Sequence, residues 1–149
     1  VRCMSMASRT NAYTKVDVET ASQGKLIVML FNGAIKRAEE AKRQLDKGKN
    51  EGVHNNLIRS QEIVAELRAS LDMKHGEVAK NLDRLYEYFQ HLLVTANIKK
   101  SDVPIDECIG LMVAMRDTWQ EAFQKVAMEN PTSAPQINQH GSALLNLQG

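Results

Sequence analysis

The stretch "LIVMLFNGAIKRA", residues 26–38, decides the fold. It sets Asn32-Gly33 directly behind six apolar residues, and Asn-Gly between alternating hydrophobics is a strong hairpin signal. Alternation fails on both sides. Leu26 to Phe31 are all apolar, and "AIKRAEEAKRQL" after the dipeptide does not alternate either. At helical spacing, Ile27, Leu30, Phe31, Ala34, Ile35, Ala38, Ala41 and Leu45 form one stripe that passes unbroken through Asn32 and Gly33. The pattern predicts a single helix over 22–46. Ser22 is its natural N-cap, Thr20 to Gln23 an alternative capping box, and Gly48 its stop.

Three further helical patterns follow. Over 52–72, Val53, Leu57, Val64, Leu67 and Leu71 share a face with Ile63 at its edge, while Ile58, Ala65 and Ala69 make a smaller second stripe. Over 76–98 the repeat is Val78, Leu82, Leu85, Tyr86, Phe89, Leu92, Leu93 and Ala96. Over 103–129 it is Ile105, Cys108, Ile109, Met112, Met115, Trp119, Ala122, Phe123 and Val126, with Asp102 as cap, Pro104 in the first turn and Pro131 as terminator. Short connections make neighbouring helices antiparallel. The expected fold is therefore all-α, an antiparallel up-down-up-down four-helix bundle over 22–129. A flexible N-terminal segment, 1–21, precedes it, part of which can pack on the bundle and cap a groove. A disordered tail, 130–149, follows it, polar apart from "ALLNL".

Composition narrows function by exclusion. The 149 residues suit one core. Nineteen Lys and Arg against eighteen Asp and Glu give a net charge of +1 with the signs interspersed, which argues against nucleic acid and anionic membranes as partners. Cys3 and Cys108 lie far apart in sequence, one in a polar head and one inside an apolar pattern, so a disulfide framework is not expected and a reducing cytoplasmic setting fits. No 18-residue apolar run exists, and "VRCMSMASRT" lacks a signal-peptide core, so membrane insertion is not expected.

Chemistry is hard to find. A di-iron bundle needs inward carboxylates and Glu-x-x-His motifs on two helices. Here Glu51 to His54 is the sole such motif, at a helix start, and the core stripes hold no carboxylate. Glu87 and His91 read as a solvated pair, and Cys108 as an inert core thiol among Ile105, Ile109 and Met112. No phosphate-binding loop or dinucleotide fingerprint is present. Neither a catalytic residue, a metal nor a cofactor is expected. In "RDTW", Trp119 takes the core face; Arg116 and Asp117 are either plain solvent-facing charges or polar anchors at a groove rim.

One excess remains. Leu26, Val28 and Met29 point away from the core stripe, and Met29 and Gly33 fall on the side shared with Lys36 and Glu40. Either "NAYTKVDV", with Tyr13, Val16 and Val18, folds back over that side, or a partner lies there and Gly33 lets its backbone approach. A loosely held cover that a partner displaces satisfies both readings.

"NAY" at 11–13, "TASQGKLIVMLFNGAI" at 20–35, "NLDRLYEYF" at 81–89, "TANI" at 95–98 and "RDTWQEAF" at 116–123 together resemble the flagellar secretion chaperone family FliS, dedicated to flagellin. The likeness covers about residues 11–128 in the family's order and spacing. Gln23 and Phe31 stand where that family often has proline and tyrosine, and both keep the helix start and the aromatic packing. The resemblance implies a cytoplasmic, non-enzymatic bundle without cofactors that binds the disordered C-terminal segment of flagellin in apolar grooves. Such a protein prevents premature polymerisation and passes flagellin to the flagellar type III export gate, with an export-gate component and a co-chaperone as further partners. By the same resemblance, Tyr13 and Val16 border or cap a groove floored by Leu26, Met29, Leu30 and Gly33. Asn81, Leu82, Tyr86, Thr95 and Asn97 are further candidate surfaces, and Arg116 and Asp117 rim contacts. The alternative is a self-associating structural bundle whose surplus stripes form a homodimer face. The tail's "SALLNLQG" adds a smaller choice, between an ordinary chain end and a self-ligand for the same groove.

Overall fold

The computed structural model describes the backbone of residues 12–129 and the side chains of 23–129. Four helices account for nearly all of it: α1 (Ala12–Asp46), α2 (Asn50–Ala69), α3 (Glu77–Lys99) and α4 (Asp102–Glu129), with one 3-10 turn at Met73–His75. No strand occurs among the described residues, and Asn32-Gly33 sits in mid-helix. Each helix packs on its neighbours in sequence, and α1 on α4 closes the ring. Cross-links show the antiparallel sense. Lys42 of α1 pairs with Asp106 of α4 and Asn32 with Arg116, the α1 number falling as the α4 number rises. The up-down-up-down bundle expected from the stripes is the fold observed.

The expected first boundary is corrected. Helix α1 starts at Ala12, so Ser22 lies in its interior and the expected N-terminal segment is helical backbone from Ala12 onward. The physical reason is that "AYTKVDVETASQ" holds neither proline nor glycine. A capping residue permits a helix to start but does not force one, and an interior serine disfavours helix by only a few tenths of a kcal/mol. Residues 1–11 and the tail 130–149 lie outside the described residues. At the other end Gly48 does stop α1: it takes a positive φ of 70° while its N–H donates to Leu45 O and Lys49 N–H to Gln44 O.

The predicted stripes make the core. Phe31, Tyr86, Phe89 and Trp119 form its aromatic centre, with Tyr86 edge-on to Phe31 at 5.9 Å between centroids and Trp119 Nε1 donating to Tyr86 Oη at 3.0 Å. Ser60, also fully buried, donates to Ala34 O across α1 and α2 at 2.9 Å, so no buried hydroxyl is left unpaired there. The Cys108 thiol is buried, donates weakly to Phe89 O, and is pushed up to about 12 by burial, with the Glu107 charge adding to the shift. It is a packing group rather than a nucleophile.

The seam between α2 and α3 is different. Asn97 Nδ2 donates to His54 Nδ1, Gln90 Nε2 to Gln61 O, and Arg68 grips Asp83 with two N–H groups. On each helix these links recur every seven residues, the spacing that keeps polar partners on one seam and pins register.

Candidate partner-binding face

Helix α1 buries Ile27, Phe31, Ala34, Ile35, Ala38 and Ala41. At 100° per residue, Leu26, Met29 and Gly33 occupy an arc of about 60° on its far side. Two of them are large and open: Leu26 is 53% and Met29 65% exposed. Leu30 is half-buried at the edge of this arc and packs against the core. Gly33 is half-buried beside α2, where an added Cβ would meet Ile63 Cδ1 at 3.4 Å. The arc is flanked by exposed Lys25, Lys36 and Arg37. Apolar side chains framed by long basic ones suit an amphipathic or apolar segment lying along the helix.

Asn32 is the residue the sequence left without a role. Its Oδ1 accepts from Arg116 Nη1 at 3.0 Å, while Arg116 Nε and Nη2 donate to Asp117 Oδ1 at 3.1 and 3.0 Å. Arg116 is thus a latch between α4 and α1 next to the exposed arc, and of this pair Asp117 is the more open.

The remaining candidates do not gather at this face. Tyr13 and Val16 have side chains outside the described region. Leu82 and Tyr86 are a correction: at 8% and 2% exposure they are core residues rather than surface ones. They lie one turn apart on the face that also buries Phe89 and Leu93, and that periodicity leaves only Asn81 of the three exposed. Burial pushes the Tyr86 phenol up to about 12, against a smaller opposing effect of the Trp119 hydrogen bond. Thr95 and Asn97 are half-buried on α3, and Asn97 is occupied by His54 and by the Lys100 ammonium. Helix α3 packs on α2 and α4 and stands across the ring from α1.

A second set of open apolar residues was missed by sequence reasoning: Tyr88, Val94 and Ile98 on α3 and Val103 on α4, the last two 78% and 70% exposed. Tyr88 Oη donates to Glu107 and its ring stacks on His91 at 6.3 Å. The available signal was that Val94 and Ile98 lie outside the core stripe of their helix. Glu87 stands 3.8 Å from Arg68, and among the described residues no group of three His, Cys, Asp or Glu is arranged to hold a metal. No described helix is long and apolar enough to cross a membrane.

Residues 6–126 match the family described as flagellar protein FliS. The chain is 32% identical over 121 residues to the flagellar secretion chaperone FliS of Bacillus subtilis, covering 81% of this chain and 90% of that one. It is 33% identical over 132 residues to the Salmonella typhimurium protein of the same name, covering 85% and 98%, and 31% identical over 121 residues to that of Vibrio cholerae, covering 78% and 89%.

Proposed function

Because the chain belongs to the FliS family of flagellar secretion chaperones, we propose that its cargo is flagellin, held by the C-terminal segment along the exposed arc of α1. The bundle keeps that segment from premature polymerisation in the cytoplasm and delivers it to the flagellar type III export gate, where an export-gate component and a co-chaperone are its further partners. No bond is made or broken in this role, in keeping with the absence of carboxylates from the core among the described residues.

The observation that carries the reading is Leu26 and Met29, open to solvent on the back of a helix whose other face is fully used by the core. Full burial of a Leu or Met side chain stabilises by about 1.5–3 kcal/mol, so covering the exposed half to two-thirds of each contributes about 2–3 kcal/mol together. A segment that folds on binding needs such anchors to offset its ordering entropy. Asp117 and the Arg116 latch then stand at the rim.

Co-purification tests the cargo. Full-length flagellin should be retained by the immobilised chain and flagellin lacking its C-terminal segment should not; equal capture of both overturns the assignment. A molecular mass that flagellin leaves unchanged would instead favour the self-associating bundle.

A further inference from the structure

We propose that the exposed arc of α1 is a docking site for the chain's own C-terminal tail, with Leu144, Leu145 and Leu147 seated against Leu26 and Met29. The intramolecular contact stands on its own; its role as a competitor rests on the function proposed above.

Where the tail leaves the bundle favours this occupant. Helix α4 ends at Glu129, and Phe123 packs on Gly24 of α1, the site of a Cβ 2.8 Å from the ring. Counting from that contact, Glu129 is six residues away along α4 and Met29 five along α1, in opposite directions. The axial separation is about 17 Å at 1.5 Å per residue. With the step around α1 the path is about 20 Å. Fourteen residue-to-residue steps lead from Glu129 to Ala143, an extended reach of about 46 Å, so the tether suffices with length to spare. Of the other open apolar residues, Ile98 and Val103 lie at the far end of the bundle, whereas Met73 and Met128 stand apart from each other in sequence as single side chains. Val103 is 26 residues back along α4, about 39 Å away, and reaching it would use nearly the whole tether.

Chemistry agrees with reach. Residues 130–149 contain no Asp, Glu, Lys or Arg, so Lys25, Lys36 and Arg37 around the arc neither attract nor repel them. What the segment offers is apolar: Leu144 and Leu147 are spaced three apart, as are Leu26 and Met29. A short tether makes the contact intramolecular, with an effective concentration in the millimolar range for short linkers, which suits a weak ligand that a better one displaces. Flagellin then binds a face that is free only part of the time. Apparent affinity is lowered by the closed fraction.

The test places a nitroxide at Ser142→Cys in a Cys3→Ser background, where buried Cys108 stays unmodified, and reads methyl resonances of the otherwise intact chain. The expected result is strong broadening of the Met29 methyl with Ile98 unaffected, relieved by adding Leu144→Asp and Leu147→Asp. An unbroadened Met29, equal broadening of Met29 and Ile98, or broadening that survives the two aspartates overturns the contact. In a second arm, removing residues 130–149 should tighten flagellin binding by about three- to tenfold, as for a face closed two-thirds to nine-tenths of the time; unchanged affinity overturns the competition. Should neither the full chain nor the truncated one bind flagellin, the cargo assignment fails while the methyl spectra still decide the tail.

Discussion

Replacing Tyr86 by Phe separates a core role from a partner-binding role at one position. Tyr86 is 2% exposed, and its Oη is the acceptor for Trp119 Nε1 at 3.0 Å, a donor itself carried by a residue 1% exposed. Phenylalanine keeps the ring against Phe31 and Phe89, at 5.9 and 5.8 Å between centroids, so packing area hardly changes. What changes is that a buried indole N–H loses its acceptor, which destabilises by about 1–3 kcal/mol. For a chain of this size that lowers Tm by about 3–9 °C. Urea unfolding should show a lower midpoint with the slope unchanged, while flagellin affinity below the transition stays within about twofold of wild type. A Trp119→Phe partner variant completes a double-mutant cycle, in which the two losses should add to more than the double variant shows. A Tyr86→Phe chain that melts like wild type yet loses flagellin would refute the reasoning, since the side chain would then act at a surface.

At the exposed arc the balance reverses: Met29→Asp should weaken flagellin binding about tenfold or more, through lost burial and a desolvated carboxylate, and leave a cooperative melt; wild-type affinity in a titration would move the groove elsewhere. Gly24→Ala drives a Cβ to 2.8 Å from Cγ of Phe123, so a loss of about 1–3 kcal/mol is expected in urea melts, and Phe123→Ala, which removes that Cγ, should cost less in the Gly24→Ala chain than in the wild type. Alkaline pH should unfold the bundle through its buried acids. Burial raises both Cys108 and Tyr86 to about 12 from ordinary values of 9.0 and 10.0. The stability of their protonated forms is therefore complete below pH 9 and falls between pH 9 and 12, by about 1.4 kcal/mol per pH unit for each titrating group. Cys108→Ala should flatten the lower part of that slope in melts at stepped pH, and an unaltered slope would place the titration in other groups.

The surface around α1 shows how far a one-dimensional pattern reaches. The apolar stripe of α1 and the surplus at Leu26 and Met29 were both legible, because the face a residue takes depends on its neighbours three and four positions away. The link between Asn32 and Arg116 joins residues 84 positions apart, and the pattern holds no trace of it. Leu82 and Tyr86 show the opposite failure. Their periodicity already assigned them to the core, and a family likeness drew them toward the surface.

Local sequence determined the helix periods, the four buried stripes, the stop at Gly48 and the absence of alternation that ruled out a hairpin, since each is settled within a few turns of one helix. Only the tertiary structure decided that α1 runs on from Ala12 through Ser22, that Gly24 is the seat of Phe123, that a polar ladder joins α2 to α3, and that Ile98 and Val103 stay open. Those outcomes depend on how far each helix is rotated and slid against the others, and that is set by the packing of all four at once.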